Sequence, residues 1–479
     1  MRGKPSVQMV TKAANLGTAL TVVIATCICV CSDTVAAEPP MTGKPNIILI
    51  LADDLGYGDL GVQGCKDIPT PNIDRIAHGG VRFTDAYANG SVCAPSRAAL
   101  MSCQYQHRYG IEDLRGPLPA QAKTLPERLK KAGYATFMVG KWHLGSKEGF
   151  TPMDRGFDAF FGFHGGGHNY FINPKAKGHY DGPIYRNRQA VNESRYLTDA
   201  FGEEAAAFIE QRRGAAQPFF LYLAFNAVHT PLQATEKYKS RFPGIKNPKR
   251  QIYGAMLSAM DDAIGRALAK LEEVGQSKNT LIFFFNDNGG PTTRNAPNAS
   301  RNTPLRGSKG ETFEGGIRVP MLMQWPGVLS PGTTYSQPVA GFDISATALA
   351  VAGADTRHCD GVDLLPFLSG KNKGSPHETL FWRSRTMGNN YAVRQGDWKV
   401  LHSTEGSDVP GPKQTPAREM LFNLASDISE ANDLAASEPA KLAELKKLYE
   451  AWSAEVDADC RKMGLTPRTD VFKSGMGHE

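Results

Sequence analysis

Four short runs, at 46–51, 135–139, 219–225 and 281–285, are apolar at odd and even positions alike. A run of that length with no polar face predicts a strand covered on both sides, as in a parallel sheet sandwiched by helices. Between the runs the apolar spacing lengthens to that of helices. Thr70-Pro71 opens one helix that stops near Gly79-Gly80, and Thr124 with Glu127 forms a capping box for another that ends at Gly133. Tyr253, Met256, Leu257, Met260, Ile264, Leu268 and Leu271 share one face of a third, longer helix. The pattern predicts an α/β fold, a large mixed but mostly parallel sheet sandwiched by helices.

Each run ends in residues that a core would not choose. Asp53-Asp54 follow the first, Gly140-Lys141-Trp142-His143 the second, Asn226 to His229 the third, and Asn286-Asp287-Asn288-Gly289-Gly290 the fourth. Ligands of open α/β sheets bind beyond the carboxyl ends of the strands, so these four polar clusters are expected at one crevice.

The character of the chain changes around 368–376, a stretch rich in Pro, Gly and Lys. Residues 44–372 are expected to form the large domain and 373–479 a smaller α+β subdomain. In the latter, 391–394 and 398–401 flank Gln395-Gly396-Asp397 as a hairpin, 421–424 is a further apolar run, and 439–454 has the spacing of an amphipathic helix. No internal repeat is visible.

At the other end, Lys4 and Lys12 precede an apolar stretch at 16–30, and Val35-Ala36-Ala37 offers the small residues of a cleavage site. Residues 1–37 are therefore expected to be a removable signal peptide, placing the mature protein in the periplasm or outside the cell. The Ala-Thr before Cys27 is a poor match to a lipidation site. Nothing later reaches the roughly 18–20 apolar residues of a spanning helix, so no membrane span is expected. Loss of the signal lowers the formal charge from +6 to +4, a mildly basic balance that suits an anionic substrate and does not favour nucleic acid. It also leaves Cys65, Cys93, Cys103, Cys359 and Cys460, an odd number, so at least one cysteine is unpaired or chemically altered in an oxidising compartment.

Cys93-Ala94-Pro95-Ser96-Arg97 is the segment richest in chemistry. Pro95 suits a first helical turn and Ala98-Ala99-Leu100-Met101 continue it, so Cys93 is expected at a helix N-terminus with Arg97 one turn later. Backbone N–H groups, the helix dipole and a guanidinium then converge on one tetrahedral anion. The segment resembles the C-x-P-S-R motif of type I sulfatases, in which the cysteine is oxidised to formylglycine. That family's other signatures occur in order: Asp53-Asp54, Gly140-Lys141-Trp142-His143-Leu144-Gly145, His229-Thr230-Pro231, Asn286-Asp287-Asn288-Gly289 and Gly307-Ser308-Lys309-Gly310. The last of these lacks the spacing of a nucleotide P-loop.

The resemblance implies an alkaline phosphatase-like fold and hydrolysis of sulfate monoesters. It also implies that Asp53, Asp54, Asp287 and Asn288 hold a metal ion, with the oxidised side chain of Cys93 beside them. Three carboxylates and an amide oxygen are hard donors that suit Ca2+ rather than zinc. The hydrated aldehyde carries two hydroxyls: one attacks sulfur and expels the alcohol, and the other loses a proton to His143 so that sulfate departs. Arg97 would hold the hydrate, Lys141 and Lys309 would neutralise sulfate oxygens, and His229 would protonate the leaving oxygen. A sulfated sugar is the first choice of substrate and an aryl sulfate the second. A formylglycine-generating or other sulfatase-maturing enzyme is an implied partner. The rival expectations are a phosphate or phosphonate monoester hydrolase and a non-catalytic binder of sulfated glycans.

Where many members have Leu-Thr-Gly-Arg, this chain has Met101-Ser102-Cys103-Gln104, while His107, Arg108 and Gly110 resume the resemblance. Cys103 is left either paired with another cysteine or as a buried thiol. Taken singly, each residue has an ordinary explanation: a disulfide half, a polar turn, a satisfied histidine, a solvated lysine. Their convergence on one crevice is what favours chemistry. The loop 164–169, His-Gly-Gly-Gly-His-Asn, is open between lining that crevice and lying on the surface.

Overall fold

In chain order the strands are β1 (Asn46–Ala52), β2 (Val81–Phe83), β3 (Ala86–Tyr87), β4 (Ala135–Lys141), β5 (Ala159–Phe163), β6 (Ile184–Arg186), β7 (Gln189–Val191), β8 (Phe219–Ala224), β9 (Thr280–Asn286), β10 (Met321–Gln324), β11 (Thr333–Tyr335) and β12 (Val339–Ala340). The C-terminal part adds β13 (Thr379–Ser384), β14 (Asn390–Gln395), β15 (Trp398–Ser403) and β16 (Arg418–Asn423). The computed structural model describes residues 43–172, 178, 180–292, 298–386, 389–403 and 416–473; the expected signal peptide, 1–37, and Cys27 lie outside them. Among the described residues no helix is long and apolar enough to cross a membrane.

One large sheet has the order β11-β2-β10-β9-β1-β8-β4-β5-β6-β7, in which the five central strands, β9 to β5, run parallel. Alternate residues of the central strands serve opposite faces. In β1, Ile48 and Ile50 enter one core while Ile47, Leu49 and Leu51 enter the other, and Phe219 to Ala224 of β8 divide the same way. The first core is roofed by the helices Pro71–His78, Leu197–Gln211 and Pro248–Glu273, the second by Cys93–Ser102, Leu125–Lys131 and Gly341–Val351. The seven positions expected on one face of the long helix are all buried in the first core.

Strands with two apolar faces have little in their pattern to set their register, because a one-residue slip exchanges one apolar face for another. Polar residues at the ends supply it. At the start of β1, Asn46 accepts the Phe219 N–H at 3.1 Å and donates to Thr280 Oγ1 at 3.4 Å. At its far end the Asp53 N–H donates to Ala227 O at 3.0 Å.

The expected helix stops are close to those observed. Thr124 and Glu127 do form the capping box, and the helix ends at Lys131, two residues before Gly133 in the left-handed region at φ 94°. The long helix starts at an unanticipated cap, Asn247, whose side chain accepts the N–H groups of Lys249 and Arg250. The C-terminal helix, Pro439–Lys462, outruns the expected 439–454 because Val456 and Cys460 carry its buried face onward.

β13 to β16 form an antiparallel sheet in sequence order, with β14 and β15 joined as the expected hairpin. Buried ion pairs seat it. Lys399 lies 2.8 Å from both Glu314 and Glu430, and Arg383 lies 2.6 Å from Glu112 and 2.7 Å from Asp457. Removing one member of such a pair strands a buried charge at a cost of about 3–5 kcal/mol, so these pairs fix the docking position more than they add net stability. Just before β13, His377 Nε2 is 2.8 and 2.9 Å from the two oxygens of Asp343, which also accepts the Ala340 N–H at the start of the helix Gly341–Val351. Burial works to lower the His377 pKa, but the Asp343 carboxylate outweighs it and holds it above 6.5. A raised histidine contributes stability below its unfolded pKa and loses it as pH rises through its folded value. His377→Asn is thus expected to lower the melting temperature at pH 6, with a gap from the unaltered protein that shrinks by pH 9.

Candidate active site

The carboxyl ends of β1, β4, β8 and β9 open onto one crevice, and each delivers its polar cluster there. β1 leads directly to Asp53 and to Asp54, whose backbone is in the left-handed region at φ 62°. At the end of β4, Gly140 has φ 109°, and a Cβ there would sit 1.9 Å from Ala224 O, so only glycine lets the strand turn. The turn sends Lys141 to the crevice while Trp142 is buried the other way, donating to Phe150 O at 2.9 Å. Beyond β8, His229 Nδ1 donates to Thr230 O at 2.7 Å, which leaves Nε2 facing the site. Past β9 come Asp287 and Asn288, both buried.

The fifth contribution is the helix Cys93–Ser102, which begins at the expected residue with Val92 at its N-cap. Cys93 is 2% exposed and Arg97 is fully buried. Lys309 arrives on a loop held to both neighbours: Gly310 N–H donates to Ser91 O at 2.8 Å and Lys309 N–H to Gly290 O at 3.3 Å.

All ten residues expected at the site are brought together. Lys141 Nζ lies 2.5 Å and Arg97 Nη2 3.8 Å from Asp53 Oδ2, and Arg97 Nε donates to Asp287 Oδ2 at 2.9 Å. Asp54 takes Lys309 at 2.7 Å, the Asn288 amide at 2.8 Å and His229 Nε2 at 3.7 Å. Asp53, Asp54 and His229 offer ligand atoms within 4.8 Å of one another. Three carboxylates therefore meet three side-chain cations, and without further ions the fixed charges cancel.

Several polar atoms nevertheless lack a partner. Asp53 Oδ1, Asp287 Oδ1 and Asn288 Oδ1 are buried with no hydrogen bond, as are Arg97 Nη2 and His143 Nδ1. Burying a carboxylate oxygen unpaired is costly, which marks the places where a bound group belongs. The titration of the groups follows from this crowding. Burial and the Asp53 charge push Asp287 up to about 6, whereas Lys309 and His229 overcome burial to bring Asp54 down to about 2. Burial also raises the Cys93 thiol against the pull of Lys141 and Lys309. Burial, with Lys141, Arg97 and Lys309, holds His143 well below its usual pKa, so its ring is neutral.

Four residues position the site; Asn286 is visible in the sequence only as a member of its motif, and Asn298, Tyr170 and Ser384 give no signal there. Asn286 accepts Leu55 N–H at 3.2 Å and donates to Leu55 O at 2.8 Å, locking the Asp53-Asp54 turn to β9. Asn298 donates to Asp54 O at 3.3 Å and Val228 O at 3.4 Å. Tyr170 donates to Asn226 O at 2.6 Å and His229 O at 2.8 Å. Ser384, at the end of β13, accepts from Ser91 at 3.3 Å, so the small sheet touches the loop before Cys93. The glycine loop lies beside the site: a Cβ on Gly166 would come within 2.5 Å of His143 Nε2. His164 and Gly165 line, with His143, Lys147 and Phe150, a cavity of about 480 Å³.

The site lies at the carboxyl ends of a mostly parallel sheet covered by helices, the architecture of the alkaline phosphatase superfamily. The profile described as "Sulfatase" matches residues 45–354, and "N-sulphoglucosamine sulphohydrolase, C-terminal" matches 308–449. N-acetylgalactosamine-6-sulfatase of Mus musculus is 36% identical over 389 residues, covering 74% of this chain and 71% of that one. Arylsulfatase A of Bos taurus is 36% identical over 470 residues, covering 88% and 90%. Among solved structures, Ps i-CgsB in complex with k-i-k-neocarrahexaose superposes with a TM-score of 0.81 at 38% identity, covering 91% of this chain and 97% of that one. The chain belongs to the sulfatase family, enzymes that hydrolyse sulfate esters.

Proposed function

We propose that this protein is an exported hydrolase of a sulfated carbohydrate, acting with Ca2+ and with a formylglycine made from Cys93. The observation that carries the reading is the set of three unpartnered buried oxygens, one each on Asp53, Asp287 and Asn288, beside the Asp54 carboxylate. These are hard donors, and they fit Ca2+. Asp53, Asp54, Asp287, Asn288 and the oxidised side chain at 93 would hold the ion, which supplies positive charge against a sulfate oxygen.

Position 93 fits the modification as well. A buried thiol whose pKa is raised is a poor nucleophile, even at a helix N-terminus. A hydrated aldehyde there supplies one hydroxyl for attack on sulfur and a second to release the sulfate. Lys141 and Lys309, now spent on Asp53 and Asp54, are placed to share their charge with an incoming anion, and Arg97 Nη2 is unpaired beside Asp53. His143 is neutral with a free Nδ1, ready to take a proton. His229 has Nδ1 fixed on Thr230 O, so its Nε2 is the atom turned toward the leaving oxygen; burial brings its pKa down to about 4 against the pull of Asp54, so Nε2 would have to take up a proton before giving one to that oxygen. Gly166 sets the place of His143, and Gly166→Ala is expected to lower kcat/KM by roughly 10–100-fold with the melting temperature little changed.

The carbohydrate assignment is supported by the oligosaccharide in the complex described above and by the sugar-directed names of the relatives. Export is supported by the pattern of residues 1–37, and N-terminal sequencing of the secreted protein should begin after Ala37. Paired nitrophenyl sulfate and phosphate esters test the reaction. The sulfate is expected to turn over faster by orders of magnitude, and a dominant phosphate rate would reject the proposal.

A further inference from the structure

Outside the active site, the structure brings together two thiols that no step above uses. Cys103 closes the helix Cys93–Ser102 as its C-cap, and Cys359 follows the helix Gly341–Val351 packed beside it. Both thiols are free; Cys103 Sγ donates to Phe342 O at 3.5 Å, and Arg128 Nη1 lies 3.2 Å from Cys359 Sγ. Their backbones are clamped on the same side. Asp360 N–H donates to Cys103 O at 2.9 Å, while the Asp360 carboxylate accepts the Tyr105 N–H at 2.7 Å and is gripped by Arg108. These bonds tie Cys103 and the residue two after it to the residue after Cys359, which keeps the two cysteines neighbours, as a bridge requires.

A second observation points the same way. Cys103 has φ 62°, a left-handed conformation in which glycine is at ease and a side chain is strained. The side chain there therefore serves some purpose besides ending the helix. The environments of the two sulfurs also differ as those of an attacking and a resolving thiol do. Cys359 is half-buried, and the neighbouring Cys103 thiol together with Arg128 Nη1 at 3.2 Å lowers its pKa. Cys103 is buried and its pKa is raised, mainly by that burial.

We propose that Cys103 and Cys359 are joined as a disulfide in the mature protein, fastening the C-terminal end of the nucleophile's helix to the segment after Val351. The oxidant is a small disulfide such as oxidised glutathione, or a disulfide oxidoreductase. The Cys359 thiolate attacks one of its sulfurs and expels the first thiol, forming a mixed disulfide. Cys103 then loses its proton and attacks Cys359 Sγ, expelling the second thiol. Two protein thiols are oxidised, and the donor disulfide is reduced to two thiols.

Trypsin isolates the two cysteines in separate peptides, 98–108 and 358–371, neither of which contains Cys93. The intact folded enzyme is treated with oxidised glutathione, alkylated and digested without reduction. The expected product is the linked pair, lighter by two hydrogens than the sum of the free peptides. Recovery of both peptides alkylated, or of Cys359 linked to Cys65 or Cys460, overturns the proposal. A second readout tests the same bond by stability. A phosphine reductant is expected to lower the melting temperature of the oxidised protein by on the order of 5 °C and to leave that of Cys359→Ser unmoved. Equal shifts in the two proteins, or none in either, count against it.

Discussion

Cys93→Ala is expected to reduce sulfate ester turnover by on the order of 10⁴-fold or more, while the melting temperature and the binding of a sulfated oligosaccharide persist. The separation of these effects follows from the structure. Cys93 makes no hydrogen bond that holds the fold, and the helix it starts is anchored by Leu100 and Met101 in the core and by Arg97 on Asp287 and on Lys141 O. The oxyanion donors remain in place without it. Peptide mass spectrometry supplies the matching positive result, since a hydrazide should label position 93 in the active protein and not in the variant. Turnover retained by Cys93→Ala would remove the nucleophile assignment, and loss of binding as well would show that the side chain shapes the pocket.

The second large effect is expected from the cation site. Calcium at about 100 times its Kd should stabilise the protein by about 2.7 kcal/mol, seen as a rise in melting temperature after a chelated sample is resupplied. Asp287→Asn should lose that rise together with about 10³-fold or more of the turnover. In chelated buffer the variant leaves the buried Arg97 charge without the Asp287 carboxylate and should itself melt lower, so the readout is the calcium-induced rise and not the absolute melting temperature. The variant's amide oxygen can still accept from Arg97 Nε, and the change removes a carboxyl whose pKa burial, with the Asp53 charge, pushes up to about 6. A calcium-induced rise retained by Asp287→Asn would show that the ion does not use this residue.

Much of this architecture is legible in residue order because the central strands are apolar on both faces, a pattern that few other elements produce. The polar residues that interrupt those runs are also visible, and the C-x-P-S-R segment ties them to an anion. What the pattern leaves out is whatever depends on contacts between distant segments. Asn286 is visible as the first residue of its polar cluster, and only the turn at Leu55 reveals that it clamps the Asp53-Asp54 backbone. Asn247 is one polar residue among several before a proline, and its capping role appears once the helix direction is known. The extension of the C-terminal helix escapes notice because Val456 and Cys460 are sparse among charged neighbours. Lys309 sits in a glycine loop whose destination is set by Ser91 and Gly290 rather than by any local periodicity. The glycine loop at 164–169 is settled by a single steric fact, the approach of Gly166 to the His143 ring.

The burial of Cys93 also bears on the order of events in the life of the chain. With 2% of its surface open to solvent, the side chain is out of reach of any macromolecule once the helix has packed into the second core. On the reading proposed above, a partner that alters it would have to arrive while the polypeptide is still extended, before segments as far apart as Asp53 and Lys309 have met around it. Synthesis, translocation and collapse would then be competing clocks, and a chain that collapses first would be stranded for good as an inert, well-formed precursor.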